Sequence, residues 1–538
     1  MAPATSTLDF TAADRWPARA AAHLLGAGLV LAVVAALPVA PSDLDRHQLP
    51  KETIVHLVTW IAVLLARPFP LRGLRPAAIG SLAVLLVITL LSGVFAGNGW
   101  LALRAGSLFF TGAAAFITAR HLAAFGHESI LLGWCAIAAV VGTGTGLAQA
   151  YGLQSPLFAL TRVPGGTFGN RNFMAHFAAL ALPIVTLTAL STRRWLVAFV
   201  AALACAMLVA AIVLSRTRAA WLATGGGTVV FTVVCVRAWR RRALPPIGIR
   251  ASMIAAAMAA GVIAAMAIPN RLAWRSSSPY TETLARLANA EEGSGHGRLL
   301  QYQNTIRLAA KHPIAGVGPG NWPVRYAEVA PPSDPTWVFG DVVPINPWPS
   351  SDWMALLSEL GIGAVVAALL FGAALAWRGW RAAQSGGDRV LAAAALLGLL
   401  LVVFVEGNLD AVLLLPAPLL FVALSAGALL QRCDGVDVAV ASGTPRRAYL
   451  MVPLLLGVVS LRSVLQTTAY VIGGNGKSTP RMVWASRVDP GSYPIRIALA
   501  QREACGEAKN DIIAALHLAP NWPASVAAAR RCGVRVPR

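Results

Sequence analysis

The chain has 538 residues, 57% of them hydrophobic and 12% charged, with a formal net charge of +21. Soluble globular domains carry about 25% charged residues, so this composition excludes a water-soluble fold and makes the bilayer the solvent that sets element lengths. The positive balance does not point to nucleic acid, because the arginines lie mostly in short loops between apolar runs, where membrane topology accounts for them.

A helix crossing roughly 30 Å of hydrocarbon needs about 20 mostly apolar residues, since unbonded backbone groups are costly in lipid. Thirteen stretches qualify, at 21–39, 53–66, 77–96, 101–119, 129–150, 173–190, 195–214, 219–236, 251–268, 353–377, 390–406, 411–430 and 448–466. The expected fold class is an all-α polytopic membrane protein with about 12–13 transmembrane helices. The first run reads as a signal anchor, because no small-residue cleavage site accompanies it. With the N-terminus inside, the arginines at 67–75, 120, 193–194, 237–250, 378–389 and 432–447 all fall in cytoplasmic loops, as the positive-inside bias requires. The odd span count then places the C-terminus outside. The predicted division is a cytoplasmic segment 1–20, helices 21–268, a large extracytoplasmic loop 269–352, helices 353–466 and an extracytoplasmic tail 467–538.

That topology leaves four arginines in short outer loops that should be arginine-poor: Arg162, Arg171, Arg216 and Arg218. For Arg162 and Arg171 two readings stand, snorkelling to lipid phosphates and attraction to something anionic outside. Arg216 and Arg218 share a tight turn between abutting helices, and two cations packed there call for a counter-charge. In the large loop, 296–312 has the period of an amphipathic helix with Leu299, Tyr302, Ile306 and Ala309 on one face, stopped at Pro313. Gly316-Val317-Gly318-Pro319-Gly320 after it reads as a structural turn, because neither a preceding strand nor a following Lys-Ser/Thr makes it a phosphate loop. Trp322, Trp337, Trp348 and Trp353 suit an interface belt or sugar stacking. Asn170 and Asn172 suit helix caps, Ser351 with Asp352 suits an N-cap, and Glu359 suits a packing acid.

The tail shows a faint repeat of about 30 residues, with Ala485-Ser486-Arg487-Val488-Asp489-Pro490 echoed at Ala515-Leu516-His517-Leu518-Ala519-Pro520. Two partial units resembling tetratricopeptide helices are too few for a free-standing array, so the tail is expected to dock on the membrane domain or on a protein partner. Cys505 and Cys532, both predicted outside, are expected to form a disulfide closing a loop of about 28 residues.

Four stretches together resemble the bacterial O-antigen ligase and O-antigen polymerase superfamily of membrane glycosyltransferases. They are Gly166-Thr167-Phe168-Gly169-Asn170-Arg171-Asn172, Ser215-Arg216-Thr217-Arg218, Gly297-Arg298 with His312-Pro313 and the glycine turn, and Ser351-Asp352-Trp353-Met354 with Leu356 to Gly361. The resemblance implies transfer of a glycan from a polyisoprenyl diphosphate carrier to a lipid, glycan or protein acceptor, outside the cytoplasmic (inner) membrane of a bacterium. It implies no cofactor and no metal. Lipopolysaccharide or other polysaccharide biosynthesis is the setting it implies, with undecaprenyl diphosphate as the carrier. It also implies that Arg216 or Arg218, together with Arg298, contacts the diphosphate, with Arg171 as a further substrate-binding residue; the amides of Asn170 and Asn172, besides capping, suit a hydroxyl-rich glycan and are expected among the substrate-binding residues.

Guanidinium groups match phosphate oxygens in bidentate geometry and stabilise the charge that builds on a diphosphate leaving group. One position departs from the family. Where members commonly carry a histidine before the helix that follows the large loop, this chain has Ser350. Either Asp352 takes over as base, a histidine such as His296 reaches in, or the activity is altered. Asp352, Ser350 and Arg298 are therefore the expected catalytic residues. A polymerase of the same superfamily, a lipid-linked sugar transporter or flippase, and a non-catalytic scaffold are the alternatives.

Overall fold

The computed structural model describes residues 12–38, 43–68, 76–160, 164–244, 247–274, 276, 278–285, 294–331, 334, 347–435, 446–473 and 478–536. Among them there is no strand. The long helices are α1 (Ala12–Val34), α2 (Asp43–Ala66), α3 (Pro76–Val94), α4 (Gly99–Leu122), α5 (Glu128–Ala150), α6 (Arg171–Ser191), α7 (Trp195–Ser215), α8 (Arg218–Arg240) and α9 (Gly248–Ala267). Four short or loop helices follow, α10 (Pro279–Ala285), α11 (Ser294–Lys311), α12 (Trp322–Arg325) and α13 (Asp352–Ala355). Four more long helices complete the bundle: α14 (Ile362–Ala382), α15 (Asp388–Leu409), α16 (Pro416–Asp434) and α17 (Arg446–Gly473). The tail is α18 (Thr479–Val488), α19 (Tyr493–Arg502), α20 (Cys505–Leu518) and α21 (Pro523–Arg531).

Twelve candidate membrane spans are present among the described residues, which makes the chain an all-α multi-pass membrane protein. One of them, Gly99–Ala150, is 52 residues long. At 1.5 Å per residue it would be about 78 Å, more than two bilayer cores, if it were straight. It is broken at Gly126, whose φ of +82° lies in the left-handed region, and so contains both α4 and α5. All thirteen predicted stretches therefore have helical counterparts. Several boundaries moved, two span starts the furthest. The second span starts at Asp45, well before residue 53, because its outer end carries polar residues that are buried against neighbours. The tenth starts at Ile362 and not at 353. Residues 352–360 form a separate short helix ending at Gly361 (φ +83°), where a Cβ would sit 2.2 Å from the Ile314 carbonyl oxygen.

Helices α6, α16 and α15 form the hub, with 89%, 83% and 67% of their spanning residues buried, against 17–50% for the others. Small residues allow this: Ala175, Ala178, Ala179 and Ala181 of α6 are fully buried and let neighbouring backbones approach closely. The first turn of α6, the end of α15 and the start of α16 meet at one end of the bundle. The large loop covers that end.

The loop helix α11 ends at Lys311 as predicted, but its buried face is only partly the predicted one: Ala309 is buried and Tyr302 half-buried. Leu299 and Ile306 are 41% and 49% exposed, whereas Gln301, Asn304, Thr305 and Leu308 are buried. The partner surface is polar, which apolar periodicity does not reveal: Trp322 Nε1 donates to Thr305 Oγ1 at 3.0 Å and Asn304 Nδ2 donates to Asp334 Oδ2 at 3.0 Å. Trp322 is fully buried against Tyr326, so it belongs to the loop's own core and not to an interface belt. The glycine turn is structural. It wraps Glu359, whose carboxylate accepts from the N–H of Gly320 (2.7 Å) and of Trp322 (3.2 Å). Burial pushes the Glu359 carboxyl up to about 7, against the pull of those two bonds.

The tail docks on this end as well. Asn98 Nδ2 donates to the Leu518 carbonyl at 3.1 Å, Asn521 Nδ2 donates to Glu328 Oε1 at 3.0 Å, and Tyr493, Ile497, Leu518 and Trp522 share a core with Val324 and Leu101. Cys505 and Cys532 are joined in a disulfide, tying α20 to the end of α21.

Candidate active site

The turn between α7 and α8 holds the first cation. Arg216 caps α7 with φ +55° and ψ +28°, a left-handed conformation that costs a non-glycine residue on the order of 1–3 kcal/mol. Ser215 and Thr217, both buried, tighten the turn through a 3.2 Å bond from Thr217 N–H to Ser215 Oγ. The Arg216 guanidinium donates to Thr283 Oγ1 at 2.8 Å and to Glu282 Oε2 at 3.2 Å, and stacks over Trp274 at 4.8 Å. Glu282 of α10 is thus the counter-charge that the turn called for. Arg171, at the start of α6, stacks on the same Trp274 ring at 5.2 Å. It lies within electrostatic range of both Arg216 and Arg298. Arg218 opens α8 beside them, half-buried. Arg162 lies outside the described residues.

Arg298 reaches in from the first turns of α11 and donates Nη2 to Asp410 Oδ2 at 2.9 Å. Asp410 is the residue that joins the two halves of the site. Its Oδ2 also accepts from Asn172 Nδ2 at 3.1 Å and lies 3.4 Å from His176 Nε2. The other nitrogen of that ring, Nδ1, is 2.9 Å from Glu406 Oε1. Asn172 Oδ1 in turn accepts from Thr217 Oγ1 at 3.1 Å, which links the Asp410 group to the Arg216 turn. Burial alone would raise the Asp410 carboxyl, but the Arg298 guanidinium, with support from His176 and the Ala411 N–H, holds it at about 2. Asp410 is therefore ionised in the structure as it stands.

The remaining predicted residues fall into supporting positions. Asn170 caps α6, its Oδ1 accepting from Asn172 N–H at 2.8 Å. Asp352 is buried, and its two oxygens accept from the backbone N–H of Val412 and of Leu413, each at 2.9 Å. It clamps the segment that carries Asp410. Burial pushes its carboxyl up to about 7 in spite of those bonds. Ser350 takes part through its backbone, its N–H donating to Gln301 Oε1 at 2.7 Å and its carbonyl lying 2.5 Å from the Tyr302 hydroxyl. Ser351 caps α13 and donates its hydroxyl to the Gly407 carbonyl at 2.8 Å. His296 sits two residues before Arg298 on α11 and is exposed.

Sequence reasoning missed Asp410, His176, Trp274 and Tyr302. A signal existed for two of them. Asp410 follows Glu406 at i+4 at the end of an apolar run and His176 lies inside one, and ionisable residues at such places default to a functional reading. Trp274 and Tyr302 carried no comparable signal, because their role depends on which arginines the loop brings near.

Chemically, the arrangement gathers four arginines, the carboxylates Asp410, Glu282 and Glu406, and a histidine at a partly buried end of a helical bundle. It suits an anionic, phosphate-like group beside a hydroxyl that must lose a proton. No curated protein sequence matches the chain. Residues 203–362 match the family described as O-antigen ligase, a segment that contains Arg216, Arg218, Trp274, Arg298, Ser350 and Asp352. This match, over about 30% of the chain, supports an O-antigen ligase superfamily assignment.

Proposed function

We propose that the chain transfers a glycan from a polyisoprenyl diphosphate carrier to a hydroxyl of a lipid, glycan or protein acceptor, at the extracytoplasmic face of a bacterial inner membrane and without a metal. The observation that carries this reading is the convergence of Arg171, Arg216 and Arg298 on one polar pocket that also holds Asp410. Arginines in a site sheltered from water stabilise a leaving diphosphate far better than they would in bulk solvent.

In the proposed reaction the acceptor oxygen attacks the anomeric carbon as the bond from that carbon to the phosphate oxygen breaks. The electron pair leaves with the carrier diphosphate, bound by Arg216 and Arg298, with Arg171 and Arg218 adding positive field. The acceptor proton goes to Asp410. A carboxyl held at about 2 is a poor base, but the hold comes from Arg298. When the diphosphate engages Arg298, Asp410 loses its strongest partner and gains a negative neighbour. Its proton affinity then rises at the moment a base is needed. Asp352 acts as a positioning residue for the Asp410 segment, Ser350 and Tyr302 as backbone anchors, and Asn170 and Asn172 as orienting groups.

The test is transfer by membranes carrying Arg216→Ala, Arg218→Ala or Arg298→Ala. Loss of transfer with normal membrane insertion is expected for Arg216 and Arg298; full activity in both defeats the reading.

A further inference from the structure

A cavity of about 380 Å³ lies beside the arginine site, on the other side of the 410–416 segment. Its walls are the outer ends of α2, α4 and α17, the 320–323 turn, Leu413 and Leu414, and, as a roof, the first two tail helices. Leu413 contacts both sites, since its N–H is held by Asp352 while its residue lines the cavity. Trp348 does the same, lining the cavity and stacking edge-on against Phe173 of α6. The roof is closely fitted: a Cβ on Gly491 would lie 2.1 Å from Trp100.

The lining combines aromatic rings, Trp100, Trp348 and Tyr493, with one polar wall. In that wall Arg104 donates Nε to Glu52 Oε2 at 2.8 Å and lies 3.8 Å from Asp45, while Arg462 lies 3.6 Å from Glu52. Asp489 of the tail adds a third carboxylate within range of both arginines. With Glu359, which also lines the cavity, two cations face four carboxyl groups and leave no positive field for a phosphate. Two acceptor atoms in the wall are nevertheless buried without a hydrogen bond among the described residues: Gln466 Oε1, and Glu52 Oε1, which faces Arg462 at 3.6 Å and His56 at 3.8 Å. Glu52 itself is 3% exposed. Buried acceptors left unmade are costly and select for a ligand that brings hydroxyl donors, and a concave, mostly apolar site with a few convergent polar groups is the usual form of a small-molecule pocket.

We infer that this tail-roofed cavity binds an uncharged, hydroxyl-rich saccharide, and that this saccharide is the acceptor end of the transfer reaction. The second half of that statement rests on the proposed function; the first half does not. The tail then forms part of the acceptor site, with Tyr493 and Gly491 closing over the sugar, and the acceptor hydroxyl reaches Asp410 past Leu413. An aliphatic lipid chain would leave both orphaned acceptors unsatisfied.

The test uses the full chain in lipid nanodiscs and three probes measured by calorimetry: maltotriose, triacetylchitotriose and inorganic pyrophosphate. At least one trisaccharide is expected to bind. Gln466→Leu, which removes one orphaned acceptor, should weaken it at least tenfold, and Ala498→Trp, which fills the cavity, should abolish it. Pyrophosphate binding should be unchanged in both variants. Absence of trisaccharide binding to the wild type, unchanged binding in both variants, or loss of a tightly held phospholipid from the Ala498→Trp protein overturns the inference. Arg298→Ala separates the two claims: pyrophosphate binding that survives it removes the transfer reading while leaving the saccharide site in place.

Discussion

Replacing Asp410 with asparagine isolates the base from the binding site, because the amide keeps the shape and still accepts from Arg298. Asp410 is held at about 2 against an ordinary 3.8, which corresponds to about 2 kcal/mol of preference for the ionised form in the folded chain. The sign follows from linkage: a depressed carboxyl contributes stability that is present above about pH 4 and is lost as pH falls towards 2. Asp410→Asn should therefore lower stability at neutral pH by about 2 kcal/mol and flatten that acid dependence. The kinetic effect should be larger and of a different kind. Loss of a positioned base costs about 10²–10⁴ in kcat. The donor KM should stay level or fall, since Arg298 no longer divides its charge between Asp410 and the diphosphate. The assay is steady-state transfer against pH with purified protein and a polyisoprenyl diphosphate glycan. In the wild type, kcat/KM reports the free protein and should show no acid limb from this group above pH 4, whereas kcat reports the donor complex and should show one at higher pH. That limb should vanish in Asp410→Asn. A kcat within threefold of wild type, or an unchanged pH profile, refutes the assignment.

Arg216 separates backbone cost from chemistry: Arg216→Gly relieves a left-handed residue and should be more stable than Arg216→Ala by about 1 kcal/mol, yet both should lose about 10²–10³ in kcat. Thermal melting beside a transfer assay reads both, and an active Arg216→Gly protein contradicts the role of the guanidinium. Asp352→Ala leaves the Val412 and Leu413 N–H groups without their acceptor and should destabilise by about 2–5 kcal/mol, seen as a lower Tm in detergent. The Asp352 and Glu359 carboxyls are both raised to about 7 by burial, so the folded chain holds their protons more tightly than the unfolded one. Stability should fall as pH rises from about 4 to 7, and Glu359→Gln should remove part of that slope in melting curves. Reducing or mutating the Cys505–Cys532 bond should destabilise the tail by about 3–4 kcal/mol on the loop-entropy estimate and accelerate its proteolysis at neutral pH.

The bundle was legible because lipid imposes a simple length rule. Every predicted apolar run is a helix, and even the 52-residue merger of two of them turns on a single glycine at 126. Boundaries failed where polar residues are buried against other helices, as at Asp45 to Glu52, since hydropathy scores a buried ion pair as if it faced lipid. In the site, Arg216 was found because cations in short outer loops violate a topological bias, and Arg298 through the resemblance of Gly297-Arg298 to a family motif. Asp410 was passed over although it follows Glu406 by one helical turn at the end of an apolar run, because its role depends on α11 bringing Arg298 against it. The α11 face failed in part for a related reason. Asn304 and Thr305 are buried by polar partners that come from Trp322, Tyr326 and Asp334, and a pattern of apolar residues cannot register such partners.

The central claim is that these arginines expel a carrier diphosphate. The direct measurement is release of free polyisoprenyl diphosphate by the purified chain given lipid-linked glycan and acceptor, in buffer containing EDTA. The account predicts release at the same rate with and without the chelator, and none from an Arg216→Ala/Arg298→Ala double variant. Equal release by the double variant, or no release by the wild type, would contradict it.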